Sequence, residues 1–138
     1  MSFTDISESP DRVSLADVFL AHLANGEFER MAMLFEPDAS LSALLPDGLR
    51  EWEGPERITR AFVAWFGRVD EREFVETAIG RVGPRLQMRW RARVRGGPFG
   101  DADFVVEQHV YVDVGPSGRI QNMALICSGF AKDRSDQQ

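Results

Sequence analysis

Residues 85–114 constrain the fold more than any other stretch of the chain. Leu86, Met88, Trp90, Ala92 and Val94 alternate with Arg85, Gln87, Arg89, Arg91, Arg93 and Arg95. Beyond the loop Gly96-Gly97-Pro98-Phe99-Gly100, Phe104, Val106, Gln108, Val110 and Val112 alternate with Asp103, Val105, Glu107, His109, Tyr111 and Asp113. A period of two sends successive side chains to opposite faces of a strand, so each segment has one apolar and one largely polar face. A helix would scatter these residues around its axis. Two such segments joined by a Gly/Pro-rich loop predict an antiparallel hairpin.

Charge supplies the register. If residue 97 faces 101, Arg95 meets Asp103, Arg91 meets Glu107, Arg89 meets His109 and Arg85 meets Asp113. All but the His109 pair are of opposite charge, and all lie on the polar face. The arginine row at 85, 89, 91, 93 and 95 therefore reads as half of a cross-strand ladder rather than a phosphate or nucleic-acid surface. A formal net charge of −6 argues the same way, against a general affinity for nucleic acid or anionic membrane. The register puts Glu107 and His109 outside, which favours a surface or interface role for His109 over that of a general base. Gln108 points inward, the one polar side chain on a face otherwise made of Phe and Val.

More strands surround this hairpin. Residues 74–82 precede the turn Gly83-Pro84, and Ile120 to Phe130 follows the turn at Gly115 to Gly118. The first half of the chain is helical. Ser14, with Asp17 three residues on, can cap a helix whose Leu15, Val18, Phe19 and Leu23 share a face, ended by Asn25-Gly26. A short second helix is expected over Glu27 to Phe35, stopped before Pro37. Short strands follow at Ala39 to Leu45 and Leu49 to Glu53, around Pro46-Asp47-Gly48. Gly54-Pro55-Glu56 opens a third helix with proline at its first position. Ile58, Phe62, Trp65, Phe66 and Val69 form its apolar face.

The 138 residues suit one domain, with residues 1–12 and 132–138 as polar tails around a single domain at 13–131. No apolar run approaches the roughly 20 residues that span a bilayer. The start of the chain lacks the basic residues and apolar stretch of a secretory signal. A single cysteine, Cys127, cannot form an internal disulfide. A cytoplasmic protein is the expectation. His22, His109 and Cys127 lack ligand spacing, so neither a metal nor another cofactor is expected.

The ordered segments Leu20 to Gly26 (LAHLANG), Met33 to Ser40 (MLFEPDAS), Glu53 to Phe66 (EGPERITRAFVAWF) and Val106 to Val112 (VEQHVYV) resemble the nuclear transport factor 2-like superfamily. Within it the chain is most similar to SnoaL-like polyketide cyclases and ketosteroid isomerases. The resemblance implies an α+β, cone-shaped fold, three N-terminal helices on a curved, mostly antiparallel sheet, commonly as a homodimer. Ketosteroid isomerases polarise their substrate carbonyl with a tyrosine on the first helix; Phe19 stands at that position. Their proton-shuttling aspartate falls near Ala43, and their second oxyanion donor falls on Gln108. Phenylalanine donates no hydrogen bond and alanine moves no proton, so the isomerase mechanism as such is disfavoured.

What remains is an aromatic interior with one polar group. Phe19, Trp52, Phe62, Trp65, Phe66, Met88, Trp90, Gln108 and Val110 are the expected ligand-binding residues, more aromatic surface than a compact core of this size requires. Each of them singly is also an ordinary core residue. The expected partner is a small apolar, oxygen-bearing molecule, held with or without cyclase, isomerase or dehydratase chemistry. The alternative is a non-catalytic binding or dimerisation module. Val75, Ile79, Val105, Tyr111, Ala124 and Ile126 would leave apolar patches on the outer sheet face, so a homodimer through that face is expected.

Overall fold

A computed structural model of the chain describes residues 15–134. Helix α1 covers residues 15–25 of the described part; the cap expected at Ser14 lies outside it, as do residues 1–12. Ala16, Phe19, Leu20 and Leu23 are buried, a spacing of three and four that defines one helical face. Val18, expected inside, is 40% exposed. The helix ends at Gly26, whose φ of 72° is the left-handed conformation that glycine adopts without penalty.

Helix α2 is shorter than its apolar pattern suggested, Phe28–Ala32. Phe35 is not its last residue but the first of strand β1, Phe35–Leu45. The Ile120 N–H donates to the Leu34 carbonyl at 2.8 Å, and Phe35 pairs with Ile120, so strand hydrogen bonds from a distant segment capture what helical spacing alone would extend. Strand β2, Gly48–Glu53, turns back on β1, and Gly54-Pro55 starts helix α3, Pro55–Phe62. One π-helical turn, Val63–Gly67, completes it. That turn holds Phe66 in the core and leaves Trp65 half-buried at its edge.

The sheet contains β3 (Glu71–Val82), β4 (Arg85–Arg95), β5 (Phe104–Val114), β6 (Ile120–Cys127) and β7 (Ala131–Lys132). Its order is β2-β1-β6-β5-β4-β3, with β7 on β5. The β1–β6 pair is parallel and the others are antiparallel. Register shifts on β1, β3 and β5 bend the sheet, as bulges do, around the helices. The fold is α+β, with helices on a curved, mostly antiparallel sheet.

The hairpin register is the one charge predicted: Arg91 pairs with Glu107 and Arg89 with His109. The ladder forms on its outer face, Arg85–Asp113 at 2.9 Å, Arg91–Glu107 at 3.0 Å and Arg95–Asp103 at 2.7 Å. Two expectations fail nearby. The shift between Phe74 and Glu76 reverses the parity of β3, so Ile79 pairs with Met88 and packs against the core instead of lying outside. The last strand stops at Cys127, where Gly129 (φ 83°) turns the chain and Ala131–Lys132 returns along β5. Asp133 then accepts from Arg93 Nε at 2.9 Å, fastening this stretch to the sheet.

Candidate functional site

The expected ligand-binding residues fall in one connected body of side chains. Phe19 from α1 meets Phe62 from α3 edge to face at 5.6 Å between centroids, and lies 6.0 Å from Trp90 of β4. Phe62 meets Trp65 at 5.1 Å, and Trp65 meets Trp52 of β2 at 5.8 Å, both nearly perpendicular. Phe66 packs at 5.5 Å on Phe74, which lies 6.4 Å from Trp90. Met88 and Val110 face each other across β4 and β5. Edge-to-face pairs align positive ring edges with negative ring faces and stabilise by about 0.5–1.5 kcal/mol beyond area burial.

This body has an inner and an outer end. Phe19, Phe62, Phe66, Met88, Trp90, Gln108 and Val110 are enclosed, whereas Trp52 and Trp65 are partly open. Gln108 is 0% exposed and its amide is engaged on both sides. Trp90 Nε1 donates to its Oε1 at 2.9 Å, and its Nε2 donates to Cys127 Sγ at 3.3 Å. The hairpin register sets Trp90 opposite Gln108, whereas Cys127 comes from β6, which the hairpin alone does not reveal. Ala43 is also fully buried, and no ionisable group stands at either it or Phe19.

Trp52 and Trp65 open onto a cavity of about 600 Å³ between α3 and the β1–β2 hairpin. Leu45, Ala61 and Ala64 complete its apolar wall, and the two alanines leave room that larger side chains would fill. Its rim carries Arg50, Arg57, Arg60 and Arg68, which the sequence reading passed over. Exposed arginine on a helix or turn looks the same in sequence whether it borders a cavity or open water. Arg72 supports the arrangement from below: its Nη1 donates to the Phe66 carbonyl at 3.0 Å, tying the π-helical turn to β3.

The histidines lie elsewhere. His22 Nδ1 is 2.9 Å from Glu27 Oε1, and this hydrogen bond, opposed by partial burial, leaves the Glu27 carboxyl below its ordinary pKa. His109 Nε2 is 2.8 Å from Glu107 Oε2 on the outer sheet face. That contact first, and Arg91 second, hold the Glu107 carboxyl below the usual carboxylate range. Among the described residues, no three His, Cys, Asp or Glu side chains converge as a metal site would require, and no helix is long and apolar enough to cross a membrane.

Comparison with known proteins agrees with this architecture. A SnoaL-like polyketide cyclase assigned in Shewanella denitrificans OS-217 superposes with a TM-score of 0.69 at 17% identity, over 86% of this chain and 91% of the other. SalBIII, an epoxide hydrolase/cyclase-like enzyme of pyran-ring formation in salinomycin, gives 0.68 at 14% identity, over 91% and 98%. A nuclear transport factor 2-like protein of Burkholderia xenovorans LB400 gives 0.65 at 13%, over 86% and 90%. At such identities the likeness concerns the fold. No curated protein sequence matches the chain. The profile of the SnoaL-like domain matches residues 16–123, most of the chain, and the protein belongs to that family.

Proposed function

We propose that this SnoaL-like domain binds a small, largely apolar, oxygen-bearing molecule in the cavity between α3 and the β1–β2 hairpin. The observation that carries the reading is the cavity itself, about 600 Å³ and walled by the perpendicular Trp52–Trp65 pair. Ligand sites commonly fall in the range of about 300–1,000 Å³, with aromatic walls and few polar groups. Trp52 and Trp65 touch the ligand. Phe62, Phe19, Phe66, Met88, Trp90, Val110 and Gln108 form the packed body behind them. The lining includes neither a carboxylate nor a histidine, so a cyclase, isomerase or dehydratase step here would rest on positioning and exclusion of water. SnoaL-like and epoxide hydrolase/cyclase-like neighbours support small-molecule chemistry as the setting.

The non-catalytic alternative draws on Gln108, whose amide oxygen accepts from Trp90 and whose Nε2 donates to Cys127, both within the protein. Under either reading we propose a homodimer through the outer face of β5 and β6. Ile126 is 53% exposed there, and Tyr111 and Ala124 pair across the two strands.

The test is calorimetric titration with camphor, a compact terpenoid ketone, alongside tryptophan emission. Trp90 is enclosed, so an emission change reports mainly on Trp52 and Trp65. Ala64→Phe fills the cavity from an exposed position and should abolish binding while leaving the circular dichroism spectrum intact. Camphor binding that survives Ala64→Phe would place the site elsewhere.

A further inference from the structure

We infer that this cavity prefers ligands bearing an oxyanion, such as a carboxylate, on an apolar ring or chain; the inference rests on reading the cavity as a small-molecule site. The argument starts from how the arginines are used. On the outer sheet face Arg85, Arg89, Arg91, Arg93 and Arg95 each lie within 4.0 Å of a carboxylate. Around the cavity, Arg57, Arg60 and Arg68 make no ion pair among the described residues, and Arg50 alone is bound, to Asp47 at 2.8 Å. The chain has 22 Asp and Glu against 16 Lys and Arg, so acidic partners are not scarce. At this rim Asp47 is the single one engaged among the described residues, and Arg57, Arg60 and Arg68 are left without any.

Three unpaired guanidinium groups around one concavity repel each other and raise the local potential of an otherwise acidic protein. An anion entering the cavity relieves that repulsion. Guanidinium is also the side chain best suited to it, with planar N–H pairs that match the two oxygens of a carboxylate. Beneath the rim, Trp52 and Trp65 stand at 89° to one another, so a flat or cyclic body can lie on one ring and meet the edge of the other. Charge at the rim and aromatic surface below define an amphipathic anion, head outward and body inward.

The experiment compares two probes of one shape, 2-naphthoate and the neutral 2-naphthalenemethanol, by titration calorimetry on the full chain. Naphthoate should bind about tenfold tighter or better at low ionic strength, and the difference should shrink as salt screens the exposed guanidinium groups. Arg57→Gln with Arg60→Gln, both at exposed positions, should remove most of that advantage, lowering the affinity for naphthoate far more than that for the alcohol. Arg119→Gln, in the exposed turn before β6, should change neither. If the alcohol binds as tightly as naphthoate, the anion preference is wrong and the cavity reading stands. If the preference persists in the double variant, the arginines assigned to it are the wrong ones. If neither compound binds, both readings fall.

Discussion

Gln108→Leu tests whether the buried glutamine is structural. Leucine has similar volume, so no large cavity forms, and the change at first sight removes a polar group from an apolar core. The structure predicts a loss instead. Trp90 is 0% exposed and its Nε1–H has its acceptor in Gln108 Oε1, at 2.9 Å. Leucine accepts nothing, so the indole N–H is left buried and unpaired at a cost of about 1–3 kcal/mol. Cys127 Sγ loses the Gln108 donor but keeps the Gly129 N–H at 3.4 Å, and a thiol is a weak acceptor, so that side adds little. A loss of about 2 kcal/mol, at roughly 3–5 °C per kcal/mol for a domain of this size, lowers the melting temperature by about 6–10 °C. Urea unfolding followed by far-ultraviolet circular dichroism measures it, repeated at several protein concentrations because dimerisation would add to apparent stability. Trp90→Phe and the double variant complete a cycle. With both partners gone no polar group is orphaned, so the double variant should be more stable than the two single losses sum to, by about 1–2 kcal/mol. An unchanged midpoint for Gln108→Leu, or a cycle without coupling, would refute the reasoning.

On the outer face, Arg91→Glu should destabilise modestly, and adding Glu107→Arg should restore part of the loss, with a coupling of about 0.2–1 kcal/mol at low salt. Recovery stays partial because Arg91 also faces Glu76 at 3.7 Å and Glu107 also holds His109, so the swap creates new like-charge neighbours. The depressed pKa of Glu107 gives this site a pH signature. A carboxyl held lower in the folded state contributes stability that is present above its unfolded pKa, about 4.3, and lost as pH falls through the folded value. Thermal melts of Glu107→Gln between about pH 3 and 6 should therefore show a shallower acid loss than the parent; parallel profiles would remove Glu107 from the account. For assembly, sedimentation at micromolar concentration should give twice the monomer mass and Ile126→Glu should halve it, whereas a parent that sediments as a monomer rejects the interface.

Much of the scaffold was legible because its determinants are local or repeat along the chain. Alternation over residues 85–114 specified the strands and their faces, and the charges on the polar face specified the register that Arg85, Arg91 and Arg95 adopt. Pro55 after Gly54 marked the start of α3, because proline at a first helical position gives up a hydrogen bond the helix never makes. Trp52 and Trp65 were legible as aromatic groups that the fold would bring near one another. That they would meet at right angles beneath a rim of arginines was not.

The tertiary structure decided what depends on distant partners or on a single inserted residue. Phe35 fits a helical face and a strand equally well, and pairing with Ile120 chose the strand. One bulge after Phe74 turned Ile79 inward; alternation carries no mark of an insertion, and a slip of one residue exchanges every face beyond it. Gln108 read as an inward polar group from parity, and the charge register already set Trp90 opposite it, but Cys127, its other partner, lies on β6 and was not legible. Arg57, Arg60 and Arg68 look in sequence like a solvated helix face, and became a charged rim when β2 brought Trp52 beside Trp65. Periodicity and turn chemistry act within a few residues and survive in the sequence, whereas the choice of partner across the fold is made by packing, where all the candidates compete at once.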